Sequence, residues 1–253
     1  MSARRIVDSR PIHQRIAAAL REEVLSGELA AGANLPSTLQ LTERFGASNA
    51  TVQKALKLLK EEGLVVGRAG ASVSVRQHRQ RTIRPADFVA PAPPNESYPW
   101  IAKANQRGWQ ASSRLLEVGE VRPPQDAAAA LQLTETGTAV MRRQLLVLDD
   151  EPAELVTSYY PTEIAAGTAL LEHRKIRGGT PTLLASMGYP PRKCVDHVSA
   201  RVPTQEQYEL LELPSELPIL RTFRVVYSDN ERPIEATIMA KAGHLYELQY
   251  EFS

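Results

Sequence analysis

The stretch GASNATVQKALKLLKEEGLV, residues 46–65, decides how the first third of this sequence is interpreted. Its apolar residues recur at positions i, i+3, i+4 and i+7, which predicts a helix buried along one face. Ser48 is a suitable N-terminal cap, and Gly63 supplies the left-handed residue that ends such a helix. The buried positions are Val52, Ala55, Leu56 and Leu59. The opposite face and the N-terminal rim carry Asn49, Ala50, Thr51, Gln53, Lys54 and Lys57.

Two further helices and a hairpin are predicted around this helix. Apolar periodicity predicts a first helix over residues 11–26. A second begins after Ser37, whose hydroxyl can form a capping box with Gln40 three residues later. Residues 64–66 and 73–75 flank a glycine-containing turn and predict a two-stranded hairpin. The predicted order is therefore helix, helix, helix, hairpin.

A helix held against a second helix, with its own N-terminal end exposed, has the geometry to enter the major groove of DNA. There, Asn and Gln pair with adenine, the methyl groups of Ala50 and Thr51 contact thymine, and lysines reach phosphate or guanine. The hairpin would lie beside the duplex, where Gly70 allows close approach and Arg68 contacts phosphate or the minor groove. The alternative is a three-helix scaffold whose polar face is only solvated.

Charge is distributed unevenly along the 253 residues. Residues 1–84 hold 14 Lys/Arg against 7 Asp/Glu, a net charge of +7, whereas the remainder carries −6. A basic segment of this kind favours a polyanionic partner. The one cysteine, Cys194, excludes an intrachain disulfide, and no run approaches the ~20 apolar residues of a membrane span. We therefore expect a cytoplasmic protein without membrane association.

The sequence changes character after the hairpin. Residues 78–99 combine arginines with five prolines, which predicts a linker. It would separate a first domain, residues 1–77, from a second domain, residues 100–253.

The second domain contains a weak duplication of a helix followed by a hairpin. Arg143, Pro152 and Glu154 of the first copy recur 81 residues later. The second copy has Arg224, Pro233 and Glu235. Two such units folding together predict one antiparallel sheet with helices on one side, an α+β domain with a cleft between its halves.

These residues resemble a known family. The motif residues are Leu35-Pro36-Ser37, Phe45-Gly46-Ala47-Ser48, Thr51-Val52, Ala55-Leu56, Leu59, Glu62-Gly63-Leu64 and the hairpin that follows. Through them, residues 11–76 resemble the winged helix-turn-helix domain of GntR-type bacterial transcription regulators. The region from Trp100 to Phe252 is similar to the UTRA effector domain of the HutC subgroup, through Ser158-Tyr159-Tyr160-Pro161 and Arg232-Pro233-Ile234-Glu235.

The resemblance implies a two-domain α+β protein whose second domain has a chorismate lyase-like fold. It also implies a homodimer that binds a near-palindromic double-stranded DNA operator, represses transcription in the commoner case, and is released by a small-molecule effector.

The DNA-facing positions implied by the resemblance include Ser37, Thr38 and Leu39 on the second helix. The family commonly has Glu and Arg where this chain has Thr38 and Leu39, and Arg where it has Asn49 and Gln53. Each good bidentate base contact is worth ~1–3 kcal/mol of discrimination. We therefore expect a shift from guanine towards adenine contacts. Leu39 either contacts a thymine methyl or packs back into the helix pair.

The implied effector site also departs from the family. Relatives that bind sugar phosphates carry two arginines where this chain has Gln144 and Leu146, which argues against an anionic sugar phosphate. The polar lining residues implied by the resemblance are Glu154, Ser158, Glu235 and Tyr246, with Arg143 nearby. The carboxylates could hold hydroxyl or amine groups of a ligand, or could serve their hairpins structurally. Tyr159 and Tyr160 alternate faces, so at most one of them lines a cleft.

An enzyme is the alternative reading of the second domain. In a lyase, Arg143 or Arg224 would hold a dicarboxylate. Alternatively, Glu154 and Glu235 could form an acid/base pair, as in glycoside hydrolysis. The duplication accounts for both acids without catalysis, and the sequence has no HExxH or CxxC spacing and no glycine-rich phosphate loop. We expect no catalytic residue, metal or cofactor. A third possibility keeps DNA binding and gives the second domain only a dimerising role.

Overall fold

The chain forms two compact units in a computed structural model that describes residues 8–67, 72–77, 80–93, 97–214 and 217–251. The units comprise Met1–Arg81 and Thr82–Ser253. Within the described residues, every helix is too short or too polar to span a bilayer.

The first unit contains three helices and a hairpin, in the predicted order. They are α1 (Ile12–Ser26), α2 (Thr38–Phe45), α3 (Asn49–Glu61), β1 (Val65–Val66) and β2 (Ser74–Val75). Leu20, Leu41 and Leu59 of the three helices are fully buried together in one apolar core. Asn34 adds a bridge to Ser74 of the hairpin. The helix-turn-helix is therefore built around a core of its own.

Local signals place the ends of these helices. Ser37 and Gln40 form the predicted capping box, with Ser37 N donating to Gln40 Oε1 at 2.8 Å. Ser48 Oγ accepts from the backbone N–H of Thr51 and caps α3. Gly46 follows α2 with φ 58°, a conformation that glycine adopts at little cost. The turn between α2 and α3 is therefore specified by residues at its own ends.

The second unit contains one large sheet and short helices. Its helices are α4 (Pro99–Gln106), α5 (Gln125–Ala130), α6 (Thr162–Ala165), α7 (Gly179–Ser186) and α8 (Gln205–Leu210), with 3₁₀ turns at Pro85–Phe88, Ala169–Leu171 and Asp229–Glu231. Its strands are β4 (Ala111–Val121), β5 (Ala139–Leu148), β6 (Glu151–Pro161), β7 (Lys193–Arg201), β8 (Ile219–Tyr227) and β9 (Pro233–Ala242). A short strand, β10 (Tyr246–Leu248), pairs with β3 (Arg81–Ile83), where the chain passes from one unit to the other.

The large sheet is antiparallel with strand order β4-β5-β6-β9-β8-β7, and it confirms the predicted duplication. Strand, helix and hairpin occur once as β4-α5-β5-β6 and again as β7-α8-β8-β9. The register shifts after Leu146 in the first hairpin and after Val226 in the second. The two copies meet where β6 pairs with β9, at the centre of the sheet.

The expectation of helices on one side is wrong, because helices cover both faces of the sheet. Ala127 of α5 packs with Tyr159 on one face. Leu184 of α7 packs with Tyr160 on the other, where Trp100 of α4 also packs against the sheet. Adjacent residues of a strand point to opposite faces, so the two tyrosines identify the two layers.

The segment predicted as a linker, 78–99, contributes structure to the second unit from Thr82 onwards. Ile83, Pro85 and Ala92 are buried, and the backbone N–H of Ala92 donates to Thr182 Oγ1 at 2.9 Å. Proline is favoured in the first turn of a helix, where Pro85 and Pro99 lie. The prolines therefore start helical turns here, and the domain boundaries at 77 and 100 stay predictions.

Gly46 offers a test of the turn between α2 and α3. A Cβ at this position would meet nothing within 4 Å, so the cost of Gly46→Ala comes only from the left-handed backbone. We expect Gly46→Ala to lower the free energy of unfolding by about 1–2 kcal/mol. Gly46→Asn is the matched control and should lose less, because Asn tolerates this conformation. Urea unfolding followed by circular dichroism measures both, and equal losses would contradict the explanation.

Candidate DNA-contacting face and effector cavity

The face predicted to contact DNA lies at the N-terminal ends of α2 and α3. Eight of the predicted residues are exposed there: Ser37, Leu39, Ser48, Asn49, Ala50, Gln53, Lys54 and Lys57. Thr38 and Thr51 are partly exposed. Gln53 Nε2 donates to Thr38 Oγ1 at 3.1 Å, so the two helices present one continuous polar surface. Arg68 and Gly70 of the predicted hairpin tip lie outside the described residues.

Leu39 and Lys57 show how this face is arranged without DNA. Leu39 is 68% exposed, so its side chain points outwards and does not pack back between the helices. Lys57 Nζ lies 3.4 Å from Glu61 Oε1, an exposed pair of the i, i+4 type that contributes little stability. The Lys57 charge therefore remains accessible to a phosphate at small cost.

A buried carboxylate fixes α3 against α1. Arg21 Nε donates to Glu62 Oε2 at 2.8 Å, and the Glu62 side chain is only 6% exposed. Val52, Ala55 and Leu59 bury the inner face of α3 completely. The face predicted to contact DNA is thus carried by a helix whose inner face is held against the core.

The second unit encloses a cavity of about 80 Å³ between the sheet and the segments that cover one of its faces. Glu154, Ser158 and Glu235, three of the five residues predicted for the effector site, line it. Gln144 and Leu146, where the resemblance implies arginines in relatives that bind sugar phosphates, also line it. The structure therefore brings these five residues together on one face of the sheet.

Arg143 and Tyr246 are not among the residues that line this cavity. Arg143 Nη1 pairs with Glu206 Oε1 of α8 at 2.5 Å, on the opposite face from Gln144. Tyr246 is buried on β10 within the apolar core of the second unit. Their assignment to the effector site stays a prediction without support from the cavity.

The repeat equivalence of Arg143 with Arg224, inferred from the spacing of 81 residues, is wrong by one residue. Gln144 is the cross-strand partner of Val156, and Arg224 is the cross-strand partner of Thr237. Val156 and Thr237 are equivalent in the two repeats, so Gln144 is the structural counterpart of Arg224. Equivalent residues of the two repeats are 80 positions apart before the hairpin turn and 81 positions apart after it. The reason is that the connection between β8 and β9 is one residue longer than the connection between β5 and β6. A one-residue shift moves a side chain to the other face of a sheet.

Glu154 forms a buried ion pair with Lys241, a residue that the sequence analysis missed. Lys241 Nζ lies 2.8 Å from Glu154 Oε1, and the two side chains are 5% and 4% exposed. The two residues are direct cross-strand partners on β6 and β9. Burial lowers the pKa of Lys241, while Glu154 favours its charged form. No sequence pattern links residues 87 positions apart, so only the strand register reveals this pair.

Glu235 is also buried, but no described lysine or arginine forms an ion pair with it. Its Oε1 accepts from Thr237 Oγ1 at 2.5 Å and from Ser158 Oγ at 3.2 Å. Burial raises the pKa of Glu235 above its ordinary value, and the hydrogen bonds only partly offset this. The neighbouring Arg224 is held by both carboxylate oxygens of Asp196, at 2.7 Å each.

A second chamber of about 270 Å³ adjoins the first and shares Tyr98, Gln144, Ser158 and Thr180 with it. Its other lining residues include Arg142, Tyr160, Lys175 and Arg177. The guanidinium of Arg142 donates to the carbonyl oxygens of Leu170, Glu172 and Arg174, which orders the loop before α7. Among the residues described, no cluster of three or more His, Cys, Asp or Glu side chains suits a metal ion.

The Glu154–Lys241 pair predicts a specific pattern of stability. Lys241→Met should lower the free energy of unfolding by about 3–5 kcal/mol, because it leaves Glu154 buried without its cation. The double variant Glu154→Leu/Lys241→Met should recover most of this loss, since no buried charge remains. Urea unfolding of the three proteins tests this, and a double variant as unstable as Lys241→Met would contradict it.

Glu235 predicts a dependence on pH. Its pKa is raised in the folded protein, so its stabilising contribution is present below the ordinary carboxyl pKa and is lost as pH rises through the folded value. Glu235→Gln removes this loss. The stability of the variant relative to wild type should therefore increase between about pH 4 and about pH 8. Urea midpoints across this range measure the difference, and a flat or falling difference would contradict the assignment.

Comparison with known proteins agrees with a chain made of a helix-turn-helix unit followed by a second unit built on one large sheet. The family model described as bacterial regulatory proteins, gntR family, matches residues 12–75, and the UTRA domain model matches residues 106–247. The Streptomyces coelicolor HTH-type transcriptional regulator SCO4628 is 27% identical over 258 residues, spanning 96% of this chain and 93% of the relative. The Bacillus subtilis HTH-type transcriptional repressor NagR is 24% identical over 246 residues, spanning 93% and 92%.

A solved structure has the same fold. The crystal structure of PhnF from Mycobacterium smegmatis superposes with a TM-score of 0.58 at 19% identity, over 94% of this chain and 99% of that one. The helix-turn-helix with its hairpin, the duplicated sheet and the two family models lead to one assignment. The chain belongs to the gntR family of bacterial transcriptional regulators, in the HutC subgroup, whose second domain is a UTRA effector-binding domain.

Proposed function

We propose that the protein is a homodimeric repressor that binds a near-palindromic operator through α3 and is released from it by a small molecule in the cavity of the second unit. The observation that carries the DNA-binding part is the exposed N-terminal end of α3, continuous with Thr38 and Leu39 of α2. Helix-turn-helix dimers bind half-sites about one helical turn apart, which accounts for a near-palindromic operator. The bacterial chromosome lies in the cytoplasm, so we propose that the protein acts there.

The residues of this face have separate roles in the proposed complex. Gln53 and Asn49 read base edges, where an amide pairs bidentately with adenine. The exposed methyl groups of Leu39 suit contact with a thymine methyl. Lys54 and Lys57 neutralise phosphates, which supplies affinity without sequence information. Thr38 positions Gln53 through their hydrogen bond.

We favour a regulator that is released from DNA by an effector over a regulator whose second domain only dimerises. The reason is that the sheet lines a cavity with polar and charged side chains. An enzyme is disfavoured for a related reason. Arg143 is engaged by Glu206 and Arg224 by Asp196, so both cations that a lyase would use for a dicarboxylate are already in ion pairs. We therefore propose no catalytic activity.

Footprinting on the DNA that flanks the protein's own coding region tests the operator and the dimer together, since many such regulators act locally. We expect protection of an inverted repeat whose half-sites lie about 10 base pairs apart. An unprotected region, or a single asymmetric half-site, would contradict the proposed dimeric regulator.

Two substitutions in α3 separate base reading from phosphate binding. Gln53→Ala should weaken binding by about 1–3 kcal/mol and relax the preference for adenine at one position of each half-site. Lys54→Ala should weaken binding to all sequences and reduce the slope of log K against log salt by about 1 per subunit. Gln125→Ala and Lys103→Ala, at exposed positions of α5 and α4, are the matched controls. If both α3 variants bound like these controls, the recognition-helix assignment would be lost.

A further inference from the structure

The duplicated sheet places two acids at equivalent positions, but among the described residues only one of them has a lysine or arginine as an ion-pair partner. Glu154 and Glu235 occupy the same place in the two repeats, next to the shared bulge. Lys241 stands opposite Glu154 in the central strand pair. Continuing that register by one residue places Tyr160 opposite Glu235, and Tyr160 is the repeat equivalent of Lys241. The symmetry of the sheet therefore puts a phenol where the other copy has an ammonium.

Tyr160 does not supply the charge that Lys241 supplies. Burial raises the pKa of its phenol well above the ordinary value, so it is neutral and offers only a hydrogen bond. The other charged and titratable groups facing Glu235 are Arg224 of β8 and Tyr98, which precedes α4. Arg224 is committed to Asp196 through two hydrogen bonds. The cavity thus contains two balanced ion pairs and one additional buried acid.

Two other polar atoms in the cavity wall have no hydrogen-bond partner among the described residues. They are Trp100 Nε1 and Thr222 Oγ1, on side chains that are 3% and 1% exposed. Buried polar groups in proteins are normally hydrogen-bonded. The indole N–H can only donate, so its partner must be an acceptor. The residues of the wall therefore suit a ligand that carries both a cationic nitrogen and an oxygen acceptor.

We propose that the effector is a small organic amine whose ammonium group pairs with Glu235 and whose oxygen accepts a hydrogen bond from Trp100. The ammonium group supplies to Glu235 the positive charge that Lys241 supplies to Glu154 and that Tyr160 does not provide. This inference rests on the proposed function of the cavity as an effector site. About 80 Å³ accommodates a headgroup of a few heavy atoms, since one water needs ~10–15 Å³ on this measure. The rest of the ligand extends into the adjoining chamber of about 270 Å³.

Matched pairs of amines and alcohols test the proposal. The probes are ethanolamine with ethylene glycol, glucosamine with glucose, and 4-amino-1-butanol with 1,4-butanediol, added to the full-length protein during thermal unfolding. We expect at least one amine to raise the unfolding temperature while its alcohol does not, because only a ligand bound to the native state stabilises it. Titration calorimetry should show binding about tenfold weaker or more in Glu235→Gln, since a charge-assisted hydrogen bond is lost.

Two further variants complete the test. Glu206→Gln removes a carboxylate on the opposite face of the sheet and should bind the amine like wild type. Trp100→Phe keeps an aromatic ring but removes the donor, and it should weaken amine binding even if Glu235→Gln does not fold. An amine affinity that is unchanged in both cavity variants would overturn the proposal. So would a panel in which no amine binds, or one in which only glucose 6-phosphate or inorganic phosphate binds.

The operator assay separates this inference from the function on which it rests. If the inverted repeat is protected but no amine releases the protein from it, the amine proposal fails while the DNA-binding regulator stands. If no repeat is protected, the proposed function fails whatever the ligand experiments give.

Discussion

The pairing of β6 with β9 is the constraint on which the second unit depends. These strands are the last of each repeat, and they join the two copies through cross-strand pairs from Glu154–Lys241 to Tyr159–Ala236. Because side chains alternate between faces, this one register decides which residues face the cavity. A shift of either strand by one residue would turn that strand's acid towards the other layer and separate Glu154 from Lys241. The buried pair therefore makes alternative registers costly, since an unpaired charge in the interior is strongly destabilising.

In the first unit, the positions of the helices are fixed by the caps at their ends and by the packing of their inner faces. The capping box at Ser37 and the cap at Ser48 define where α2 and α3 begin, and Gly46 provides the turn between them. The apolar core then holds α3 by its inner face. The N-terminal end of α3, which we propose reads the bases, is left outside this core, so its side chains can change without loss of packing. Substitutions at Asn49 and Gln53 can therefore alter DNA specificity and leave the fold intact.

Predictions that depend on interactions between residues close in sequence were more accurate than predictions that depend on contacts between distant residues. Caps, turn glycines and helix periodicity are local, and they predicted the first unit correctly. Glu154 and Glu235 were placed together because both lie after the turn, where the two repeats keep a constant offset. Arg143 was equated with Arg224 because the extra residue in the second connection is invisible without the strand register. Lys241 pairs with Glu154 across two repeats, and no local pattern encodes that contact.

At the predicted DNA-contacting face and in the cavity, this chain has uncharged residues where the family resemblance implies arginines. The local dielectric gives these two differences different consequences. On the DNA-contacting face, Asn49 and Gln53 replace arginines at a solvated surface, where neighbouring lysines and a net charge of +7 in residues 1–84 still attract phosphate. Affinity can persist there while the base preference changes. In the cavity, Gln144 and Leu146 replace arginines where water and salt screen charges poorly. With Lys241 and Arg224 already paired, Glu235 is the cavity acid that has no cationic partner among the described residues. In the proposed complexes, the same kind of difference therefore alters base preference at one site and favours a cationic ligand at the other.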